Sequence, residues 1–478
     1  MRISSLSRGL ALAALCAFSS VCFAQEGLTR GGRIGQDGGQ GTADQFGRPL
    51  TGQIAPGLEP FDAQIPQLLQ KYDIPGCVVA VMDNDKLVMT RGYGWASREG
   101  KVPISPDSMF RIGALSKPIT AVAILLLAQE GKLTLDTPVF NVLKDLVPLE
   151  GGTPDPRLSK ITIRHLLQHS GGWDAEASFE PFDRLAQIAT AAKQPAPPDS
   201  DAIIRYMMGQ PLQFDPGTKA VYSNFGYLLL GRVIEKISGI GYEDFVNNKL
   251  FTPLGAQTFR LGATRKQERD LNEVKYYDYK GAPMAPSLFD PATSAPRPDG
   301  SIGLESRGAS DGWVCSASDY MRFLSVVDAS PVVPDALAPG TLAELARRPA
   351  YALTEESYYG LGWKILPLKP YDPKKPNDTD SGVYGSWWHE GALPGTSSFV
   401  ARDSNGRAWV AFFNSHPQDD KAWSKDMLDA LDTAVGQSQW GDPNAQDPNN
   451  PEGRTPDGRN LDGRNFNGGN PENGNPDG

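Results

Sequence analysis

The strongest constraint on this chain is that its strand patterns lie at its two ends. Near the start, "CVVAVM" (77–82) and "LVMTRGYGWA" (87–96) flank a polar turn at 83–86, the pattern of a β-hairpin. Near the end, "SWWHEG" (386–391), "SSFVARD" (397–403) and "AWVAFFNS" (408–415) follow one another, the last two across a turn at 404–407. Helical patterns fill the interval, at 116–130, 163–169, 202–208, 225–238, 242–250 and 317–327. Two more flank the strands, at 61–72 and 422–435. Strands so distant in sequence bury their apolar faces by joining one sheet. The predicted fold is therefore α/β, in a two-lobed α+β form. An antiparallel sheet is built from both chain ends and flanked by helices, with an inserted, mainly helical lobe. The sheet lobe takes residues 57–113 and 355–436, and the helical lobe takes 114–354. A cleft between two such lobes is the expected site.

Outside 57–436 the composition changes. The first 24 residues read as a secretory signal: Arg2 and Arg8 lead an apolar stretch, and Cys22 and Ala24 precede a cut before Gln25. The apolar stretch is well short of the roughly 18 residues that span a bilayer, and no later segment is long and apolar enough. A secreted or periplasmic protein without an integral membrane segment is expected. Residues 25–56 are Gly-rich and polar. Residues 437–478 are rich in Asn, Gly, Pro and Asp. Both are predicted to be disordered. The net charge of −10 argues against nucleic acid as a partner. Beyond the signal only Cys77 and Cys315 remain. Export permits a disulfide between them, and the sequence leaves their pairing open.

Three motifs carry chemistry. In "FRIGALSKPIT" (110–120), Pro118 fits the first turn of a helix, where its missing N–H is tolerated. Ser116 and Lys117 are neighbours and do not share a face; the residue that faces Lys117, three positions earlier, is Ala114. In "VYSNFGYLLLG", Tyr222 and Asn224 stand two apart and point the same way on an extended segment. In "WWHEGALPGTSSFV", a strand carries His389, Glu390 and Gly391, and Gly391 permits close approach of a backbone or ligand. Each motif alone has a plainer explanation: a snorkelling lysine, loop and cap residues, a hairpin. His165 and His169 are four apart on a predicted helix but lack a third ligand, so no metal is expected. His416 in "NSHPQDD" has no assignable role.

Together and in this order, with "ITIRHLLQHSGG" and "GWVCSASDYMRFL" between them, the motifs resemble the serine β-lactamase and penicillin-binding-protein superfamily, on its class C β-lactamase-like branch. The resemblance covers nearly all of 57–436. It implies a Ser-x-x-Lys nucleophile turn, whose Lys, with the Tyr of Tyr-x-Asn, manages the nucleophile's proton. Those roles fall on Lys117 and Tyr222. Substrate-binding roles fall on Asn224, His389, Glu390, Gly391 and Ala392. The nucleophile's role falls on Ala114, which has no atom that can attack. Ser116 lies about 200° around a helix from Ala114 and cannot replace it. The backbone N–H groups of Ala114 and Ala392 would still form an oxyanion hole.

Glu390 is the second departure, standing where the family has Thr or Ser. It could activate a water in place of the missing serine, or simply turn to solvent beside the cleft. Three readings follow. The first is a pseudoenzyme that binds a peptide-like or ester-like ligand, cell-wall fragments included, or a partner. The second is a slow, non-covalent hydrolase using water activated by Lys117, Tyr222 and Glu390. The third is an ordinary serine hydrolase (esterase, D-peptidase or β-lactamase) altered at codon 114. None needs a cofactor.

Overall fold

A computed structural model describes residues 42–375 and 378–440. The signal, most of the lead-in and nearly all of the tail lie outside these residues. The main sheet is assembled from both ends of the described chain. Its strands are β1 (Leu50–Ile54), β2 (Gly76–Asp83), β3 (Lys86–Ser97), β4 (Val102–Pro103), and, after the helical middle, β8 (Tyr358–Tyr359), β9 (Lys364–Leu366), β10 (Ser386–Leu393), β11 (Thr396–Arg402) and β12 (Arg407–Phe413). The order is β1-β3-β2-β12-β11-β10-β9-β8, with β4 paired to β3, and every pairing is antiparallel. The joint between the two ends is β2 against β12, where Cys77 faces Phe413 and Asp83 faces Arg407.

Two helices from opposite ends, α1 (Glu59–Lys71) and α6 (Asp420–Gln437), cover one face of the sheet. Their core joins Phe61, Ile65, Trp423 and Leu431 to Val79, Val81, Trp388 and Phe413. The other face, through Val78, Ala80, Val410 and Phe412, belongs to one large core. That core runs on through α2 (Ser116–Gln129), α3 (Asn224–Ser238) and α5 (Ala317–Leu324). Helix α2 is buried from Ser116 to Leu125 and mostly apolar, with Ser116, Lys117 and Thr120 as its buried polar residues. A second small sheet, β5 (Met109–Arg111), β7 (Trp313–Ser316) and β6 (Arg260–Leu261), joins the start of α2 to the segment before α5.

One boundary differs from the sequence expectation. Residues 42–56 are not disordered: β1 pairs with β3 from Leu50↔Tyr93 to Ile54↔Met89, and the Thr51 hydroxyl donates to the Ile104 carbonyl at 2.5 Å. Within the mainly helical 114–354 region, α5 packs back on β2 and β12. Cys77 and Cys315 are buried free thiols in different core clusters. Among the described residues no helix is long and apolar enough to cross a membrane.

Candidate functional site

The chain reaches the site along β5, then tightens into a 3₁₀ turn, Gly113–Leu115, that runs directly into α2. In a 3₁₀ turn residues three apart eclipse, so Ala114 stacks over Lys117. Several elements fix this turn. Thr396 and Ser398 of β11 donate to the carbonyls of Arg111 and Ile112 at 3.0 and 2.7 Å. Tyr320 of α5 donates to the Leu115 carbonyl at 3.1 Å. The Ser116 hydroxyl accepts from the Trp313 N–H at 3.1 Å and is fully buried. Ser116 is therefore spent on holding β7 and does not face the cleft.

Strand β10 forms the wall. An added Cβ at Gly391 would lie 2.5 Å from the Ile112 carbonyl oxygen and 3.0 Å from the Ala114 nitrogen, so only glycine lets the wall approach the turn. Counting back from the Pro394-Gly395 hairpin, Leu393↔Thr396 is a hydrogen-bonded pair and Ala392↔Ser397 is not. The Ala392 N–H thus points away from β11, towards the turn that carries the Ala114 N–H. These two donors are backbone groups, so the residue type at 114 leaves them in place.

Lys117 is wholly buried at the floor. Its ammonium donates to Asn224 Oδ1 at 2.7 Å, the Ser310 carbonyl at 3.1 Å and Asp311 Oδ1 at 3.0 Å. Asn224, at the first position of α3 behind the Ser223 cap, passes its amide N–H to Glu180 at 3.0 Å. Burial pulls the Lys117 ammonium below its ordinary pKa, and the Asp311 carboxylate opposes that pull. Burial would raise the Asp311 carboxyl, but Lys117 and Arg307 outweigh it and hold it below the usual range. The Tyr222 ring stands 4.8 Å from the Lys117 nitrogen. Tyr222 is 44% exposed, so the cleft opens to solvent there.

His389 is buried beside Tyr222, with ring centroids 6.5 Å apart. Burial, and then the nearby Lys117 charge, lower its pKa to about 3. The ring is neutral: Nδ1–H donates to the Glu390 carbonyl at 2.7 Å and Nε2 accepts from Tyr359 at 2.9 Å. His169 also serves the site. Its Nδ1 accepts the Ser223 N–H at 3.1 Å and its ring lies 4.4 Å from that of Tyr222, so it positions the Tyr-Ser-Asn segment. His165 caps its own helix with Thr162.

Glu390 has partners that the sequence did not show. Neighbours on a strand point to opposite faces. With His389 and Gly391 on the cleft side, Glu390 falls on the other, where it accepts from Ser424 of α6 and lies 3.8 Å from Lys364. Its carboxylate is thus engaged rather than free in solvent, and its charge still bears on Tyr222. His416 finds Ser397 Oγ at 2.9 Å and Asp420 at 3.4 Å. This imitates a catalytic triad, but Ser397 is buried and its hydroxyl also meets the Ser415 carbonyl, so the cluster is structural.

The structure brings Ala114, Lys117, Tyr222, Asn224, His389, Gly391 and Ala392 to one cleft. Sequence reasoning missed Asp311, Glu180, Arg307 and Tyr359. The only local signal for Asp311 was an acid inside the otherwise small and apolar run "GASDGWVC".

This arrangement, a backbone donor pair over a Lys-Tyr-Asn floor, defines a protein of the β-lactamase/transpeptidase-like class. The Beta-lactamase family model matches residues 61–432, and the chain belongs to that family. It is similar to Esterase EstB of Burkholderia gladioli, 29% identical over 364 residues that cover 70% of this chain and 87% of the esterase. It is also similar to Penicillin-binding protein 4* of Bacillus subtilis (strain 168), 27% identical over 371 residues covering 76% and 72%. In structure it resembles the D-amino acid amidase from Ochrobactrum anthropi SV3, with a TM-score of 0.59 and 22% identity over 79% of this chain and 98% of that one. At that identity the likeness shows the fold.

Proposed function

We propose that this is an exported member of the family that has become a pseudoenzyme: its cleft binds a carbonyl-bearing, ester-like or peptide-like ligand without forming an acyl-enzyme. The observation that carries this reading is Ala114 stacked over Lys117 in an otherwise assembled site, with Ser116 committed elsewhere. In a serine protease, losing the nucleophile alone costs roughly 10⁶-fold in kcat. Export rests on the N-terminal signal pattern. The uncharged wall of His389 and backbone donors suits a neutral carbonyl group better than a free carboxylate.

The slow water-based hydrolase is the weaker reading. Glu390 faces α6, and Asp311, the carboxylate nearest the floor, already accepts from Lys117, Arg307 and Ser310. The test uses the unaltered chain with a chromogenic β-lactam, an aryl ester, a D-amino-acid amide and a fluorophosphonate probe. Saturable binding of the ester or amide, with no turnover and no labelling, is expected. Covalent labelling, or turnover above the buffer rate, overturns the proposal.

A further inference from the structure

An ammonium has three N–H donors and no lone pair, whereas a neutral amine has only two N–H donors. Lys117 meets three acceptors, on Asn224, Ser310 and Asp311, so the surroundings are built for the ammonium. The groups facing it come from every neighbouring element. Asp311 touches it directly, with Arg307 behind. Glu180 acts through Asn224. The Tyr222 and Tyr227 rings stand at 4.8 and 5.7 Å. His169 and His389 feel its charge, which lowers both their pKa values after burial. Asp311 is the carboxylate in contact, and it cannot swing away: its second oxygen accepts from Arg307 at 3.3 Å and from the Ser310 hydroxyl at 3.0 Å.

We propose that Asp311 is a positioning residue that locks Lys117 as a three-donor ammonium, so that a serine restored at position 114 would still lack its proton acceptor. The acyl-transfer machinery is then held at two positions, 114 and 311. This rests on the non-covalent reading of the cleft, but it concerns the difference between two variants and stands or falls separately. Burial is the largest influence on Lys117, and without the carboxylate it favours the neutral amine. Asn at 311 keeps the shape and an acceptor oxygen but removes the charge.

The experiment compares full-length Ala114→Ser with the double variant Ala114→Ser/Asp311→Asn. Fluorophosphonate labelling is followed by intact mass from about pH 6 to about pH 10, a range that brackets the titration of a buried lysine. In the labelling step the Ser Oγ–P bond forms, the P–F bond breaks, fluoride leaves, and the hydroxyl proton passes to Lys117 Nζ. The single variant is expected to label slowly at neutral pH and faster as the solution becomes alkaline. The double variant is expected to label about tenfold faster at pH 7, its profile displaced downward, because one pKa unit is a factor of ten in the amine fraction. Equal rates with superimposable profiles, including no labelling of either, overturn the proposal. Thermal unfolding of both is measured alongside. Should the double variant unfold below the assay temperature, the single variant decides: an alkaline rise supports the lock and a flat profile overturns it. Labelling of the unaltered chain would defeat the non-covalent reading and leave this comparison intact.

Discussion

The wall and the floor of the cleft use different materials. The wall, β10, offers backbone N–H groups, a glycine and a neutral imidazole. The floor holds charged side chains: Lys117, Asp311, Arg307 and Glu180, all buried or nearly so. A backbone donor does not depend on which side chain its residue carries, so the oxyanion position survives alanine at 114. The floor has no such tolerance. On the proposed reading, one missing hydroxyl removes the nucleophile, and one carboxylate fixes the protonation state of the neighbouring lysine. Binding can therefore outlast chemistry in a fold of this kind.

The largest expected effect comes from breaking the floor. Asp311→Ala removes the counter-charge shared by Lys117 and Arg307 and leaves both cations buried without it. Stripping one partner from a buried ion pair costs about 3–5 kcal/mol. Urea unfolding should show that loss, while Asp311→Asn, which keeps the shape and one acceptor oxygen for Lys117 but not the bonds to Arg307 and Ser310, should lose less. Equal losses would mean that charge, not shape, matters at 311. Next comes the wall. Gly391→Ala would force a methyl against Ser398 and the Ile112 carbonyl, both of which help hold the turn. Overpacking of that kind costs about 3 kcal/mol. Ester binding, read by calorimetry, should also fall, because the Ala114 and Ala392 donors are pushed apart. Unchanged binding in a stable Gly391→Ala protein would remove the backbone donors from the proposed site.

The two regions were also unequally legible in the sequence. The sheet from both ends could be read because strand periodicity is local, and β2, β3, β10, β11 and β12 each show it. Strand β1 was hidden, because "LTGQI" has two apolar residues and a glycine inside a Gly-rich lead-in; its order comes from pairing with β3. Lys117, Tyr222, Asn224 and His389 were legible through motifs. Asp311 was not, since it meets Lys117 across 194 residues of sequence and carries no periodic signature of its own. The side-chain partners of Glu390 were hidden for a different reason. The motif gave its position on the strand, but only the register, with His389 and Gly391 on the cleft side, decides its face.

That register supplies the two mildest tests. His389 is buried and neutral, with its pKa lowered from 6.5 to about 3. The unfolded chain therefore takes up this proton first as pH falls. The stability contributed by the neutral ring is complete above about pH 6.5 and is lost progressively towards pH 3, amounting to about 2 kcal/mol by pH 5. His389→Gln should remove this part of the acid sensitivity, measured as the difference in urea midpoint between pH 7 and pH 5. If the variant and the parent keep the same difference, His389 does not carry it. Its strand neighbour should behave otherwise. Glu390 bonds to Ser424 on the face covered by α6, partly exposed, where such a contact contributes about 1 kcal/mol or less. Glu390→Gln should leave ester affinity unchanged and shift the urea midpoint only slightly. A several-fold loss of affinity would place Glu390 in the cleft after all, and the wall would then carry charge as the floor does.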